Sequence, residues 1–432
     1  MGKDQPLRRR RKVLLAILLL ATGSEFVLRG PVRFFGQAPD WNDFVLLYIP
    51  ARAWLQGANP YSPQTYARIC TETFGEAWSP TALRSHPAYP LSTFVLVSPL
   101  APLPWPAAQK AVAVLAVGLM AAMIVCMIRF AGLDSKPACL FAAATLALAP
   151  FHTGLATGNI SVAAVALACI AVWALGAERN VMAGILLAVV IGLKPQIGLL
   201  FLLYYLFRRK WLSCSLATAG VGLILLIGAL RMYALGIGWV ADFAHNARIW
   251  VGSNPADDFA SANLMRLTLI DLQVPFYDLT GTRTMAIVLA LAAVAVLALV
   301  WLAFFLKTET PDDLLNLSVL AALSLLPVYH RFYDASLLVL PLCWAFRASA
   351  PAYSRLRKAC WVLFLPFLFP GASILVRAVS EGRVSNRFLH SWWWQHLLVP
   401  HEIWALLLLA VVLLAATKVR MRQMPRADAH LY

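Results

Sequence analysis

Apolar runs recur along the whole chain, most of them followed by a short polar or basic stretch. The first six cover Val13 to Leu28, Ala107 to Ile128, Ala138 to Pro150, Ile160 to Leu175, Val181 to Leu193 and Gln196 to Phe207. Six more cover Leu212 to Leu230, Met285 to Leu306, Leu314 to Leu326, Ala335 to Phe346, Cys360 to Leu375 and Ile403 to Ala416. They lack the alternation of apolar and polar residues that barrel strands carry, and a membrane-crossing helix needs about twenty apolar residues. The pattern therefore predicts an all-α polytopic membrane protein, one transmembrane domain over 1–432 with a bundle of about twelve helices.

The stretch from Arg29 to Pro106 breaks this rhythm. It is rich in Pro, Trp, Tyr and charge, and near its end lies the proline-bounded apolar segment Tyr89 to Leu100. Counting that segment as a crossing would turn every later loop over and place Arg208-Arg209-Lys210 and the Arg355, Arg357, Lys358 group outside. Basic residues gather on cytoplasmic loops, so the segment is expected to lie in the outer interface, inside one long first loop. Both termini then face the cytoplasm, and the outer loops are Arg29 to Pro106, Arg231 to Thr284 and Arg377 to Glu402. The basic cluster Arg8 to Lys12 precedes the first run and no small-residue cleavage site follows it, which reads as an anchor rather than a removed signal.

Composition agrees with lipid as the solvent: 61% of 432 residues are apolar and 13% charged, with a mean hydropathy of +0.73, far from the roughly one quarter charged of a soluble domain. The net charge of +16 is accounted for by the inside loops, so no nucleic-acid partner is implied. Six of the seven cysteines fall in or beside predicted helices and Cys70 stands alone in the first loop, so no disulfide framework or zinc spacing arises. No Walker-type loop, dinucleotide fingerprint or His-Glu-x-x-His pair occurs, so neither a nucleotide cofactor nor a metal is expected.

Several middle runs hold only about 13 residues, roughly 20 Å of helix, too short for a hydrocarbon core of about 30 Å. Short helices joined by irregular backbone are tolerated where a wet cavity begins, so Pro150 to Asn159 and Leu193-Lys194-Pro195 are expected to border an outward-facing cavity. Lys194 is a charge inside an apolar run, which costs roughly 2.5–3.5 kcal/mol on insertion scales and is usually retained for function. A topology-setting lysine is the alternative.

The first outer loop opens with a segment that reads as an amphipathic helix, with Asn42 as N-cap and Gly57 as its stop. Asp43 then falls in the first turn, where the helix dipole keeps a carboxylate ionised. Such a group suits a general base, and equally a helix-stabilising acid. At the outer end of the ninth run, His330, Arg331 and Asp334 lie between apolar helices, and His330 and Arg331 suit a phosphate ligand. His86, Asn159, Asn263 and Arg266 are weaker polar candidates on the same side.

These residues also resemble a known family. Asp43-Phe44-x-x-x-Tyr48 followed by Gly57-x-Asn59-Pro60-Tyr61, Tyr89-Pro90-Leu91 leading to Ser98-Pro99-Leu100, Gly158-Asn159, Gly192-Leu193-Lys194-Pro195-Gln196, and Pro327-x-x-His330 with Tyr333-Asp334 are together similar to glycosyltransferase family 87 of the GT-C superfamily. The resemblance runs from about Asp40 to about Pro341. It implies a GT-C-like bundle in the bacterial cytoplasmic membrane, with helices lying along its outer face and the active site there. It also implies inverting transfer of a sugar, mannose above all and arabinofuranose as the alternative, from a polyprenyl-phosphate donor to a lipid or glycan acceptor hydroxyl. Asp43 would be the base, with Lys194, His330 and Arg331 on the donor phosphate. Tyr48, Asn59, Tyr61, Gln196, Tyr333 and Asp334 become substrate-binding candidates. Departures are Ala88-Tyr89-Pro90 in place of a double proline and Asn159 where glutamine is common. Asp40 is a second acid able to share the base role. A carrier or flippase of lipid-linked sugars is the alternative from another class, although no internal repeat of the transporter kind is evident.

Overall fold

The computed structural model describes residues 4–38, 42–75, 87–253, 258–260, 263–369 and 371–423. Asp40 and His86 lie outside them. The described residues are mainly helical, with an isolated bridge, Leu269–Arg331, as the only strand-like pairing among them. Five helices are long and apolar enough to cross a bilayer unaided: Lys12–Gly36, Trp105–Ala131, Trp211–Ala234, Arg283–Leu306 and His401–Arg422. Six further apolar helices have 10–17 residues, about 15–26 Å at 1.5 Å per residue. Ser161–Gly176 buries nearly every residue, whereas the long Arg283–Leu306 buries Ala286, Ala290, Trp301 and Phe305 and offers most of its remaining apolar surface outward. Several long apolar helices with outward apolar surface are the pattern of a multi-pass membrane protein.

The contacts gather into two compact units, one of Met1–Phe130 with Phe151–Asp258, the other of Ala131–Pro150 with Phe259–Tyr432. In the first unit the segment after residue 42 is the organising element. The regular helix there is Val45–Leu55, entered through tight turns in which Val45 N–H donates to the Asn42 carbonyl and Leu46 N–H to that of Asp43, both at 3.1 Å. This corrects the expected start. Asn42 does serve the chain entry, its Oδ1 accepting from Phe44 N–H at 3.0 Å, but that bond spans two residues and holds Asp43 in the turn before the helix rather than in its first turn. The stop at Gly57 is as expected: at φ +70° it lets Ala58 N–H reach the Ala53 carbonyl and its own N–H the Trp54 carbonyl, closing a Schellman motif that only a left-handed residue permits cheaply. The last carbonyls of this helix, on Trp54 and Leu55, accept from Arg231 at 3.1 and 2.6 Å, and the Arg231 guanidinium stacks on the Trp54 ring.

The expected second outer loop is helical over Val240–Ser253 and docks on the first. Asn246 Nδ2 donates to the carbonyls of Tyr61 and Pro87 at 2.8 and 3.0 Å, and Asn59 Nδ2 to Asp242 at 2.6 Å. Tyr61, Phe94, Trp239 and Phe243 form one aromatic cluster with centroid separations of 5.1–6.4 Å, within the range where aromatic pairs attract beyond their area burial.

As expected, the Tyr89 to Leu100 segment does not form a full-length crossing helix. It folds as the helix Leu91–Val97 and a 3-10 turn Ser98–Leu100, too short to cross. Leu91, Ser92, Thr93, Phe94 and Val97 are buried against the helices Val45–Leu55, Asn180–Leu193 and Trp211–Ala234. Its hydroxyls explain why: Ser92 Oγ donates to the Gly192 carbonyl at 2.8 Å, and Thr93 Oγ1 to those of Gly192 and Leu193 at 3.0 and 3.2 Å. A helix end leaves its last carbonyls without intrahelical partners. Two hydroxyls from a neighbouring short helix meet them here.

In the second unit Asp312 caps the helix Asp313–Ser324, accepting from Leu315 N–H at 3.1 Å, and its carboxylate also pairs with Arg347. The expected single helix over Cys360 to Leu375 is interrupted: Ser354–Phe364 passes into a 3-10 turn Leu365–Leu368 carrying Pro366, and a new helix runs over Gly371–Ser380. Proline removes an N–H donor and clashes with the preceding turn, which breaks the helix inside an unbroken apolar run.

Candidate functional site

Two helix joints in the first unit bring distant residues together. The helix Ala149–Ala156 ends at Gly158, whose φ of +67° allows Asn159 N–H to bond the Gly154 carbonyl at 2.8 Å and Gly158 N–H that of Leu155 at 3.1 Å. Glycine is required twice over at 158. Besides the left-handed backbone, a Cβ there would sit 2.5 Å from the Phe34 ring, 2.6 Å from Asn42 Oδ1 and 3.0 Å from Phe44 Cβ. The segment carrying Asp43 thus lies directly on this turn, and Asp43 N–H donates to the Thr157 carbonyl at 2.7 Å. Gly158→Ala is expected to cost about 1–3 kcal/mol in backbone strain and to dislodge Asn42 and Phe44. A lowered unfolding temperature in detergent checks this; an unchanged one would show that the contact does not position the segment.

The second joint is Leu193-Lys194-Pro195. Asn180–Leu193 ends here, Lys194 takes an extended conformation with φ −150° and ψ 86°, and Pro195 opens the next helix, Pro195–Phe207, where its missing N–H costs nothing. The ammonium of Lys194 belongs to a residue at a helix C-terminus, where the helix dipole favours a cation.

A continuous hydrogen-bonded path links the joints. Asn159 Oδ1 accepts from Ser161 backbone N–H at 2.9 Å, a donor whose identity is not in question, so the amide orientation is fixed and Nδ2 is the group facing Asp43. Nδ2 donates to Asp43 Oδ2 at 2.7 Å. Ser161 Oγ lies 2.5 Å from the same Asn159 Oδ1, so its single proton goes there and it accepts from Lys194 Nζ. Every donor points the same way, from ammonium through hydroxyl and amide to carboxylate. Lys194, Asn159 and Ser161 are 5%, 6% and 0% exposed, while Asp43 is half-buried. A polarised chain in such surroundings strengthens each bond in it, and it leaves the carboxylate at the accessible end.

The other first-unit candidates frame this path. Tyr48 hydroxyl donates to the Leu103 carbonyl at 2.6 Å and accepts from Arg52, and Tyr61 hydroxyl donates to the Tyr89 carbonyl at 3.0 Å. Asn59 holds Asp242, and Gln196 is exposed on the first turn of its helix.

The second unit has a separate cluster. His330 is buried, with Nδ1 3.1 Å from Asp334 Oδ2, which also accepts from Arg331 N–H at 3.2 Å. The chain pairs back on itself, Ile270 N–H donating to the His330 carbonyl at 3.0 Å, and this brings in Asp271, a residue that stands in the sequence as an unremarked acid of a polar loop. Burial pushes its carboxyl from 3.8 up to about 6, against the opposing pull of Gln273 N–H and of His330. The folded chain therefore keeps this proton at pH values where the unfolded chain has lost it, so the stability associated with Asp271 falls as pH rises from 3.8 through about 6 and is level above. Asp271→Asn is expected to flatten that part of the profile, worth on the order of 3 kcal/mol at most, in thermal unfolding measured across the same pH range. A variant with the same slope as wild type would contradict the assignment. Tyr333 is buried and Arg331 half-buried beside this cluster, whereas Asn263 and Arg266 lie elsewhere in the unit, Arg266 paired with Asp278 at 2.5 Å. Among the described residues no group of three or more His, Cys, Asp or Glu side chains gathers to hold a metal.

With this geometry in hand, comparison with known proteins decides the family. The family model described as glycosyltransferase family 87 matches residues 88–328, more than half of the chain. The chain belongs to glycosyltransferase family 87. This family 87 member is also 28% identical over 283 residues to the polyprenol-phosphate-mannose-dependent alpha-(1-2)-phosphatidylinositol mannoside mannosyltransferase of Mycobacterium tuberculosis, the match covering 60% of this chain and 62% of that relative. The chain thus matches somewhat less than two thirds of the relative's length. No solved structure matches it. The matched region contains Gly158, Asn159, Ser161 and Lys194 but begins after Asp43.

Proposed function

We propose that this protein is a membrane glycosyltransferase that moves a mannosyl unit from a polyprenyl-phosphate donor to a hydroxyl of a glycolipid acceptor of the phosphatidylinositol mannoside kind, at the outer face of the bacterial cytoplasmic membrane. The observation that carries this reading is the path Lys194–Ser161–Asn159–Asp43, which ties an ammonium and a carboxylate more than a hundred residues apart into one unit within a chain of this family.

In the proposed reaction the acceptor oxygen attacks the anomeric carbon while Asp43 takes the hydroxyl proton. The bond from that carbon to the phosphate oxygen breaks, its electron pair stays on the phosphate, and polyprenyl phosphate leaves. One displacement inverts the anomeric centre. Asn159 orients the Asp43 carboxylate through Oδ2, and the acceptor proton must come within about 2.6–3.2 Å of that base. Lys194, anchored on Ser161, supplies positive charge for the leaving phosphate.

The test uses purified protein in lipid vesicles with a polyprenyl-phosphate mannose labelled in the sugar and a phosphatidylinositol mannoside acceptor. Label is expected in the acceptor, with polyprenyl phosphate released in equal amount. Label that stays on the polyprenyl phosphate and only changes leaflet would mark a carrier and overturn the proposal.

A further inference from the structure

In the first unit the helices Asn180–Leu193 and Trp211–Ala234 begin side by side. Ser213 Oγ donates to the Asn180 carbonyl at 2.9 Å, and a Cβ on Gly184 would sit 2.7 Å from Leu216 Cβ. Beside this contact runs an open groove of about 650 Å³, its helical walls formed by Val181, Met182, Ile185, Leu186 and Leu212. Val181, Ile185 and Leu212 are each more than half exposed, as is the neighbouring Trp211. The rest of the lining, Glu178, Arg179 and Asn180, belongs to the entry of the first helix. Basic residues gather there. Arg179 precedes the first helix and Arg208-Arg209-Lys210 the second, and Arg129 is near enough that its charge and that of Arg179 both reach the Cys126 thiol. Arg129, Arg179 and Arg209 are exposed, and Glu178 is the acid set against them.

We infer that this groove holds an anionic diacyl phospholipid of the surrounding membrane, with an acyl chain along Val181, Ile185 and Leu212 and the phosphate at Arg179 and the Arg209-Lys210 turn. The combination of features selects this occupant. An exposed apolar groove on a membrane helix pair is covered by hydrocarbon, and guanidinium and ammonium groups at its end select a negative head group over a zwitterionic one. The dipoles of two parallel helix starts add positive potential at the same place, and Trp211 suits the boundary between acyl chains and head groups. By the charge pattern of the chain this end of the helices meets the cytoplasmic leaflet. The groove is not the proposed donor site, because the 14 residues of Asn180–Leu193, about 20 Å of helix, separate its basic end from Lys194. Its occupancy does not depend on the proposed transfer.

Native mass spectrometry of the full chain released from detergent micelles tests this, with phosphatidylglycerol and phosphatidylcholine of identical acyl chains as probes. The first phosphatidylglycerol molecule is expected to be retained at least fivefold more than phosphatidylcholine. Its retention should fall at least threefold in Ile185→Trp, which fills the groove from the lipid side, and in Arg179→Gln, a surface change that guards against misfolding of the first variant. It should stay at the wild-type level in Lys194→Met. Equal retention of the two lipids, retention unchanged in either groove variant, or loss in Lys194→Met overturns the inference. The vesicle assay reads sugar transfer and this one lipid retention, so either can fail while the other succeeds.

Discussion

Replacing Asp43 with asparagine is expected to lower the rate of sugar transfer by about 10²–10⁴, the usual contribution of a positioned general base, with folding and donor binding retained. Asparagine has the same shape, and its Oδ1 can still accept from Asn159 Nδ2 as the Asp43 oxygen does at 2.7 Å. Its backbone N–H still reaches the Thr157 carbonyl. What is lost is the capacity to take a proton. Initial rates at saturating donor, together with a melting curve for each protein, measure the effect. A variant within threefold of wild type would remove Asp43 from the chemistry and leave it as part of the helix entry.

Lys194→Met is expected to move activity and stability in opposite directions. Methionine keeps the length and apolar contacts of the side chain and deletes the ammonium. Transfer should fall by about 10²–10³, the scale seen when one preorganised group facing developing negative charge is removed. Stability should hold or rise, because a buried charge is costly in an apolar setting and the half-exposed carboxylate at the other end of the path keeps its bond from Asn159. Ser161 Oγ loses the donor at its lone pairs but keeps its own bond to Asn159 Oδ1, so the local turn survives. Transfer rates and unfolding temperatures on the same preparations give both signs. A less stable but fully active Lys194→Met would show that the lysine serves the fold alone.

Much of this was legible from residues alone, for identifiable reasons. Lys194 stands out because a cation beside proline in an apolar run is costly, and Pro150 to Asn159 because it separates two short apolar runs, although Asn159 itself read only as a weaker polar candidate. Gly57 and the short helices were likewise readable from turn chemistry and length. Ser161 was not, since a serine opening an alanine-rich helix carries no pattern; the one available hint was its position two residues after Asn159, where a side-chain amide reaches a backbone N–H. Asp271 was hidden because its burial comes from the chain pairing at Ile270 and His330, a contact over sixty residues that no local pattern encodes. The docking of the Leu91–Val97 helix was not readable, because its serine and threonine satisfy carbonyls at the end of Asn180–Leu193, about a hundred residues on, and no local pattern encodes that. The break within Cys360 to Leu375 was visible as Pro366 and Pro370 but was outweighed by the apolar run around them.

The most direct measurement is an experimental structure of the protein bound to a polyprenyl-phosphonate mannose that cannot transfer its sugar. The expected result is a phosphonate oxygen within charge-assisted hydrogen-bond distance of Lys194 Nζ, about 2.7–2.9 Å, with the anomeric carbon on the side of the Asp43 carboxylate. A donor headgroup bound away from both residues, with the Lys194–Ser161–Asn159–Asp43 path intact beneath an empty surface, would contradict it.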